Sequence, residues 1–363
     1  MKKYDIGWGV ISACNMGCEF CYSNKVRKEV DQDNLQLKDW IKFIDENSDY
    51  IESINYGTGE NSLANDWFEL VAYISHNYPS IKQAVTTNGT LYKRIQDSAH
   101  RRQIVEKCIS EIDVSLDFCQ KVKHDTFRGL TGAYDSVIAL LQYSQIVGIE
   151  STIVFIGTNT VLEENNLSGL FEIAKQYNAK LRSNIFRPTN IKSEINRKFI
   201  ATYENILNAL RWINHSAEIL YLGDPLFNAI LTDNVPIKDP SGEKSVRILP
   251  NGSITPSTYL ISSEFRNHFI SEKNVLQKLN IKNMGIDNKI PQDCYNCPYI
   301  KRCQGGVLDR RYLWYGTFNE KDPYCPYREG NTLPDFKIQI NPSNKTFSSV
   351  HKDYLPTLFF TNK

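Results

Sequence analysis

The 363-residue sequence predicts an α/β fold of parallel strands with covering helices, followed by a smaller cysteine-bearing unit. Three observations carry this. From residue 5 to about 190, short β-branched runs alternate with amphipathic stretches, the pattern of successive βα units. After Pro188 the alternation breaks. From residue 246 the chain turns rich in Pro, Gly, Asn and Tyr, and four cysteines fall between 294 and 325.

In chain order the strand candidates are DIGWGVI from Asp5, YIESINYG from Tyr50, IKQAVTT from Ile81, EIDVSLD from Glu111, STIVFI from Ser151 and KLRSNIF from Lys180. Helical patterns lie between them, such as LKDWIKFIDE from Leu37, WFELVAYISHNY from Trp67 and AYDSVIALLQYSQIVG from Ala133. Six such units make an incomplete (β/α)6 barrel or an open α/β sheet. In either case the loops at the carboxyl ends of the strands are where chemistry belongs. A helical connection at about 195–216 and the run EILYLGDPLFNAIL follow. The stretch from 246 has so few apolar runs that a metal is expected to hold it together. From Arg328 the segments FKIQI and YLPTLFF read as edge strands or a tail. The expected organisation is a barrel over 1–190, a helical bridging region over 191–245, a cysteine-rich domain over 246–327 and a C-terminal tail over 328–363.

Composition narrows the function. Apolar residues at 41% and aromatics at 12% suffice for a packed core. Lysine plus arginine (42) nearly cancels aspartate plus glutamate (41), so no long-range field draws the chain to nucleic acid or an anionic membrane. The N-terminus MKKYDIGWGVIS lacks the apolar run and cleavage site of a signal peptide, and no segment approaches the roughly 18 apolar residues of a membrane span. A cytoplasmic location is expected. In that reducing setting tightly spaced cysteines read as metal ligands rather than disulfides.

Three of the nine cysteines, Cys14, Cys18 and Cys21, sit in ACNMGCEFCYS directly after the first strand. Structural zinc takes four ligands, and no histidine stands nearby to complete a set, although a ligand from elsewhere in the chain would do so. A cubane iron-sulfur cluster on three thiolates instead keeps one iron open to an exogenous ligand.

This CxxxCxxC loop, with Phe20 before the last cysteine, resembles the signature of radical S-adenosylmethionine (radical SAM) enzymes. Further segments match that family in order and spacing. YGTGEN, with Gly59 and Glu60, looks like the GGE segment that contacts the SAM amino group, and TTNG places Asn88 at the family's TNG turn. SLDFCQKVKHDTFRG is similar to the fourth-strand segment of peptide-modifying members, which implies Ser115 and Arg128 as SAM contacts; LRSNIFRPTN resembles their sixth strand. The resemblance implies a partial (β/α)6 TIM barrel as the radical SAM core. A [4Fe-4S] cluster on Cys14, Cys18 and Cys21 would bind SAM and, once reduced, split it to a 5′-deoxyadenosyl radical, with a flavodoxin or ferredoxin as electron donor.

Cys294, Cys297, Cys303 and Cys325 supply four thiolates, enough for closed zinc or a fully ligated cluster. The stretch is similar to the SPASM extension of peptide-maturing radical SAM enzymes. It departs from that pattern at Val307 and Ser257, where the family carries cysteines of one of its two auxiliary clusters. The resemblance therefore implies a shortened SPASM domain with one auxiliary [4Fe-4S] cluster, two clusters in all. Of the remaining candidates, Cys108 and Cys119 read as buried small hydrophobes. Cys119 is a minor candidate for a radical donor near the site mouth, and His124 is the one histidine to suspect.

GWGVISACNMGCEFCY and FRPTN look most like maturases whose precursors bear nitrogen-fixation-associated leader peptides. Some of these are spliceases, which excise tyramine at a Tyr-Gly step and leave an α-keto-β-amino acid. The resemblance thus implies modification of a ribosomally made precursor peptide. Alternatives are a thioether or carbon-carbon cross-linking maturase, a sulfatase-type maturase and a non-enzymatic zinc scaffold. Only 13 residues precede Cys14, so leader recognition is expected from a small separate protein that takes the leader as an added strand.

Overall fold

Each of the six expected strands forms, and consecutive ones pair in parallel. They are β1 (Tyr4–Trp8), β2 (Ile51–Tyr56), β3 (Lys82–Thr87), β4 (Glu111–Ser115), β5 (Glu150–Gly157) and β6 (Lys180–Ile185). The computed structural model describes residues 2–30, 35–189, 191–286, 290–340 and 347–362. Asn190, the last residue of the FRPTN match, lies outside them.

The helices between strands follow from local sequence. Leu37–Asn47 opens with a capping box, Gln36 and Asp39 exchanging side-chain and backbone hydrogen bonds, and buries Trp40, Phe43 and Ile44 at helical spacing. Each such side chain, moved from water into the core, contributes about 1.5–3 kcal/mol. Ser98 caps Ala99–Cys108 by accepting from the Arg101 N–H, and Gly129, at φ 68°, ends Lys121–Arg128.

The strands are buried along nearly their whole length, yet they carry polar residues that pair across strands. Ser53 donates to Asp5 at 2.5 Å, Tyr56 to Gln83 at 2.8 Å, and Arg182 pairs with Asp113. Residues of β2, β3, β4, β5 and β6 line one common cavity, so the sheet curves around it.

Beyond the six strands the sheet grows on both sides. On one side β8 (Ser245–Ile248) pairs in parallel with β1, continuing to β9 (Ser253–Thr255) and β10 (His268–Phe269). On the other, β7 (Ala217–Leu222) follows the helix Tyr203–Ser216, and β11 (Leu358–Asn362) lies between β6 and β7, antiparallel to both. The 191–245 region therefore holds a strand as well as helices. The YLPTLFF segment is neither an edge strand nor a tail, because Phe359 and Phe360 alternate onto two buried faces of an interior strand. FKIQI forms no strand; Ile338 instead donates its N–H to the Leu231 carbonyl at 2.7 Å. Just before β11 the chain closes the amino end of the barrel: Glu111 accepts from Ser349 Oγ at 2.6 Å and Val350 N at 2.9 Å. Among the described residues no helix is long and apolar enough to cross a membrane.

Candidate active site at the carboxyl end of the barrel

The loop after β1 carries Cys14, Cys18 and Cys21 and is held from below by the loop after β2. Glu60 N donates to the Ala13 carbonyl at 2.9 Å, Tyr22 Oη to the Gly57 carbonyl at 3.0 Å, and Arg27 to the Ser12 carbonyl at 3.1 Å. This approach requires glycine at 59. Its φ is 66°, and a Cβ there would stand 2.5 Å from the Ile11 carbonyl oxygen and 2.7 Å from that of Ala13.

All three cysteines line a cavity of about 160 Å³ at the carboxyl ends of the strands, together with Phe20, Gly59, Glu60, Asn88, Ser115 and Arg128. Every candidate of the first cluster and of its SAM contacts thus faces one space. Glu60 is buried and accepts from three donors: Ser62 Oγ at 2.6 Å, Thr87 Oγ1 at 2.9 and 3.0 Å, and the Asn88 N–H at 3.0 Å. Burial raises its pKa and these hydrogen bonds pull it back. Asn88 Nδ2 reaches Cys14 Sγ at 3.5 Å, and Met16 N donates to the same sulfur at 3.4 Å.

Arg128 is fixed by a residue the sequence reading did not single out. Asp117, fully buried just past β4, takes both Arg128 Nε and Nη2 at 2.6 Å on Oδ2 and the Ile156 N–H at 3.0 Å on Oδ1. The guanidinium lies over the Phe20 ring, 5.1 Å from its centroid, and Phe20 stacks on Phe127 at 4.3 Å. Cys18 Sγ meets the Arg128 carbonyl at 3.4 Å. His124 accepts the Asp117 N–H on Nδ1 at 3.2 Å, so it supports this cluster from outside the cavity. Cys119 does not line the cavity. It is half-buried, as is Cys108, and packs where Gly169 leaves room, so neither is the fully buried hydrophobe expected.

Burial pushes the Cys14 thiol up and the Cys18 thiol up to about 11, against the pull of Arg27 and Arg128 respectively. Two arginines do not offset the desolvation of the thiolates, and a bound cationic centre is what would hold them deprotonated. Three sulfurs facing one cavity suit a [4Fe-4S] cluster with one iron open.

The second cysteine group also faces one space. Cys294, Cys297, Cys303 and Cys325 line a small cavity with Leu226, Ile230, Tyr299 and Ile300. Burial raises the pKa of Cys294 to about 11, and those of Cys303 and Cys325 also rise. Among the described residues no three Cys, His, Asp or Glu side chains converge on a single-ion position. The four thiols line one space, a donor set that suits closed zinc or a fully ligated cluster. The loop between Cys303 and Cys325 is anchored by Arg310, which pairs with Asp224 at 2.6 Å and Asp322 at 2.7 Å. Val307 is fully buried and donates its N–H to Asp322 at 3.0 Å; Ser257 donates to Asp309 at 2.6 Å, and Asp309 also takes Arg187 Nε at 2.5 Å. The two positions without cysteine are absorbed into packing and an ion-pair network.

Residues 8–167 match the family model of the Radical SAM superfamily, and this segment is a radical SAM domain. Over more of the chain, similarity extends to named proteins. The mycofactocin maturase MftC of Mycobacterium tuberculosis is 22% identical over 337 residues, 88% of this chain and 81% of that one. The AdoMet-dependent heme synthase of Methanosarcina barkeri is 24% identical over 359 residues, 90% of this chain and 97% of that one. Among solved structures, Streptococcus suis SuiB bound to S-adenosylmethionine superposes with a TM-score of 0.67 at 16% identity, covering 93% of this chain and 77% of that one. SuiB bound to its precursor peptide SuiA gives 0.65 at 15% identity, covering 92% and 75%. These likenesses establish the α/β radical SAM fold.

Proposed function

We propose that the chain is a radical SAM maturase that modifies a ribosomally made precursor peptide. The observation that carries this is the meeting of Cys14, Cys18 and Cys21 with Glu60, Asn88, Ser115 and Arg128 around one cavity at the carboxyl end of the barrel. The similarity to MftC, named a maturase, and the fold shared with SuiB, which binds a precursor peptide, support a peptide substrate.

When bound, a [4Fe-4S] cluster on the three thiolates together with SAM supplies a 5′-deoxyadenosyl radical for hydrogen abstraction. The chain's residues hold and orient. Gly59 lets the backbone approach, Glu60 accepts from an ammonium, Ser115 and Arg128 take a carboxylate, and Phe20 forms an apolar floor under Arg128. The four thiols of the second group hold one auxiliary [4Fe-4S] cluster suited to accepting or relaying an electron. A flavodoxin or ferredoxin in the cytoplasm supplies the reducing electron, and a small separate protein presents the leader.

The specific reaction we assign is excision of tyramine at a Tyr-Gly step. Mass spectrometry of a candidate precursor coexpressed with the protein tests it, with Cys18→Ala as control. Loss of one tyramine is expected; loss of two hydrogens would point to a cross-link instead. The heme synthase similarity favours a second reading, modification of a tetrapyrrole. An unchanged peptide alongside turnover of an iron porphyrin would select it.

A further inference from the structure

The cavity walls carry four arginines, Arg128, Arg182, Arg187 and Arg247, and a single carboxylate, Glu60. Three of the arginines have buried acidic partners: Asp117 for Arg128, Asp113 for Arg182 and Asp309 for Arg187. Arg247 has none among the described residues. At 1% exposure it is bonded only to the hydroxyls of Tyr22 (2.9 Å), Thr58 and Tyr354, and its Nε has no partner. Glu60 is not paired with Arg247; it accepts from Ser62, Thr87 and Asn88.

A guanidinium stays charged in any protein environment, and a buried charge without counter-charge is costly. The place for it is nevertheless built. Gly7 of β1 lacks the Cβ that would collide with Arg247 Nη1 and Tyr354 Oη, and Thr258 holds the Tyr354 hydroxyl at 2.8 Å. Three neutral hydroxyls orient the fork and leave its charge to an anion that arrives.

By position that anion stands apart from Arg128 at the cysteine loop and from the SAM contacts on β3 and β4. The cavity arginine beside the cysteine loop is Arg128, whose carbonyl meets Cys18 Sγ at 3.4 Å and whose guanidinium lies over Phe20. Of the proposed SAM contacts, Gly59 adjoins Thr58, which Arg247 touches, while Asn88, Ser115 and Arg128 lie at or after the ends of β3 and β4, on the far side of the cavity. Arg247 lies on β8, across β1 from them, beside Tyr259 and Tyr354.

We infer that Arg247 binds a carboxylate of the substrate, an acidic side chain of the peptide, and so sets which peptide enters. This rests on the maturase reading. A charge-assisted contact from the free Nε–H of the guanidinium to a carboxylate distinguishes glutamate from glutamine by about tenfold in affinity.

The test uses the full chain, reconstituted without oxygen, and two synthetic peptide pools randomised around a Tyr-Gly step that differ only in glutamate or glutamine at one flanking position. Equilibrium dialysis at millimolar peptide with mass-spectrometric readout compares wild type, Arg247→Gln and Arg247→Lys. Wild type is expected to retain the glutamate pool about tenfold over the glutamine pool. Arg247→Gln should lose the preference and Arg247→Lys should keep a weaker one, while SAM binding stays within about twofold. Iron content and circular dichroism confirm that each variant folds, and Arg247→Lys carries the comparison if Arg247→Gln does not. No preference in wild type, or an unchanged one in the variants, overturns the inference. So does a tenfold loss of SAM binding, which would make the carboxylate SAM's, or a shifted cluster potential with peptide preference intact, which would make the anion the cluster's. Absence of SAM cleavage in wild type would fault the maturase reading, whereas the glutamate preference is read without cleavage and is decided separately.

Discussion

Replacing Asp117 by Asn removes one charge and no volume, and its cost follows from the contacts. One carboxylate oxygen takes two guanidinium N–H groups of Arg128 at 2.6 Å, and the other takes the Ile156 N–H at 3.0 Å. An amide has one acceptor oxygen, so either the arginine or the backbone N–H must face an NH2 group. The Asp117 side chain is fully buried and that of Arg128 is 10% exposed, so the guanidinium loses its counter-charge with little water to replace it. Breaking a buried pair in this way costs about 3–5 kcal/mol, a factor of about 10² to 4 × 10³ in the folding equilibrium at roughly 1.4 kcal/mol per tenfold. Arg128 would also lose its place over Phe20 and beside Cys18, so SAM affinity should fall with stability. Denaturant unfolding of anaerobically prepared Asp117→Asn and wild-type protein, with SAM binding by dialysis, measures both. A stability loss below about 1 kcal/mol, or unchanged SAM binding, would refute the assignment of Asp117 as the residue that positions Arg128.

Three further outcomes are expected. Gly59→Ala places a Cβ against the Ile11 and Ala13 carbonyls at a left-handed φ of 66°, so it should cost about 1–3 kcal/mol of local strain and weaken SAM binding at least tenfold, read by dialysis. Cys303→Ala should lower iron from about eight to about four per chain while SAM still binds; Cys18→Ala should remove the other four and abolish SAM cleavage. His124 has its pKa lowered to about 4, by burial first and by Arg128 second. Because the folded value lies below the unfolded 6.5, stability is complete above pH 6.5 and is lost as pH falls toward 4, by up to about 3 kcal/mol. His124→Gln should flatten that slope in unfolding measured between pH 7 and 4.5.

The six parallel strands and their helices were legible because each βα unit repeats one local rule: β-branched runs buried on both faces, then an amphipathic stretch bounded by caps. The cysteine loop was legible for a similar reason, since Cys14, Cys18 and Cys21 lie within eight positions and face one cavity as a local set. Spacing also reached Gly59, Glu60, Asn88, Ser115 and Arg128, because strand ends recur in order and each of these follows one. What spacing could not show is which buried charge answers which. Asp117 and Arg128 are eleven residues apart, Arg187 and Asp309 are 122 apart, and nothing local marks either pair. The available signal was a charged residue inside an apolar run, as Arg182 is in KLRSNIF and Arg247 in SVRI.

Sequence alone determined the order of the six βα units, the two cysteine spacings and the loops that bear them, all properties of short segments. Tertiary structure decided the rest. It placed the final strand between β6 and β7 rather than at an edge, folded Val307 and Ser257 into packing and hydrogen bonds, and brought Arg247 over Gly7 into a cavity with no acid to meet it. The reason is physical. Strand pairing and counter-charge depend on which surfaces remain unsatisfied after the local elements form, and those surfaces belong to segments far apart in the chain.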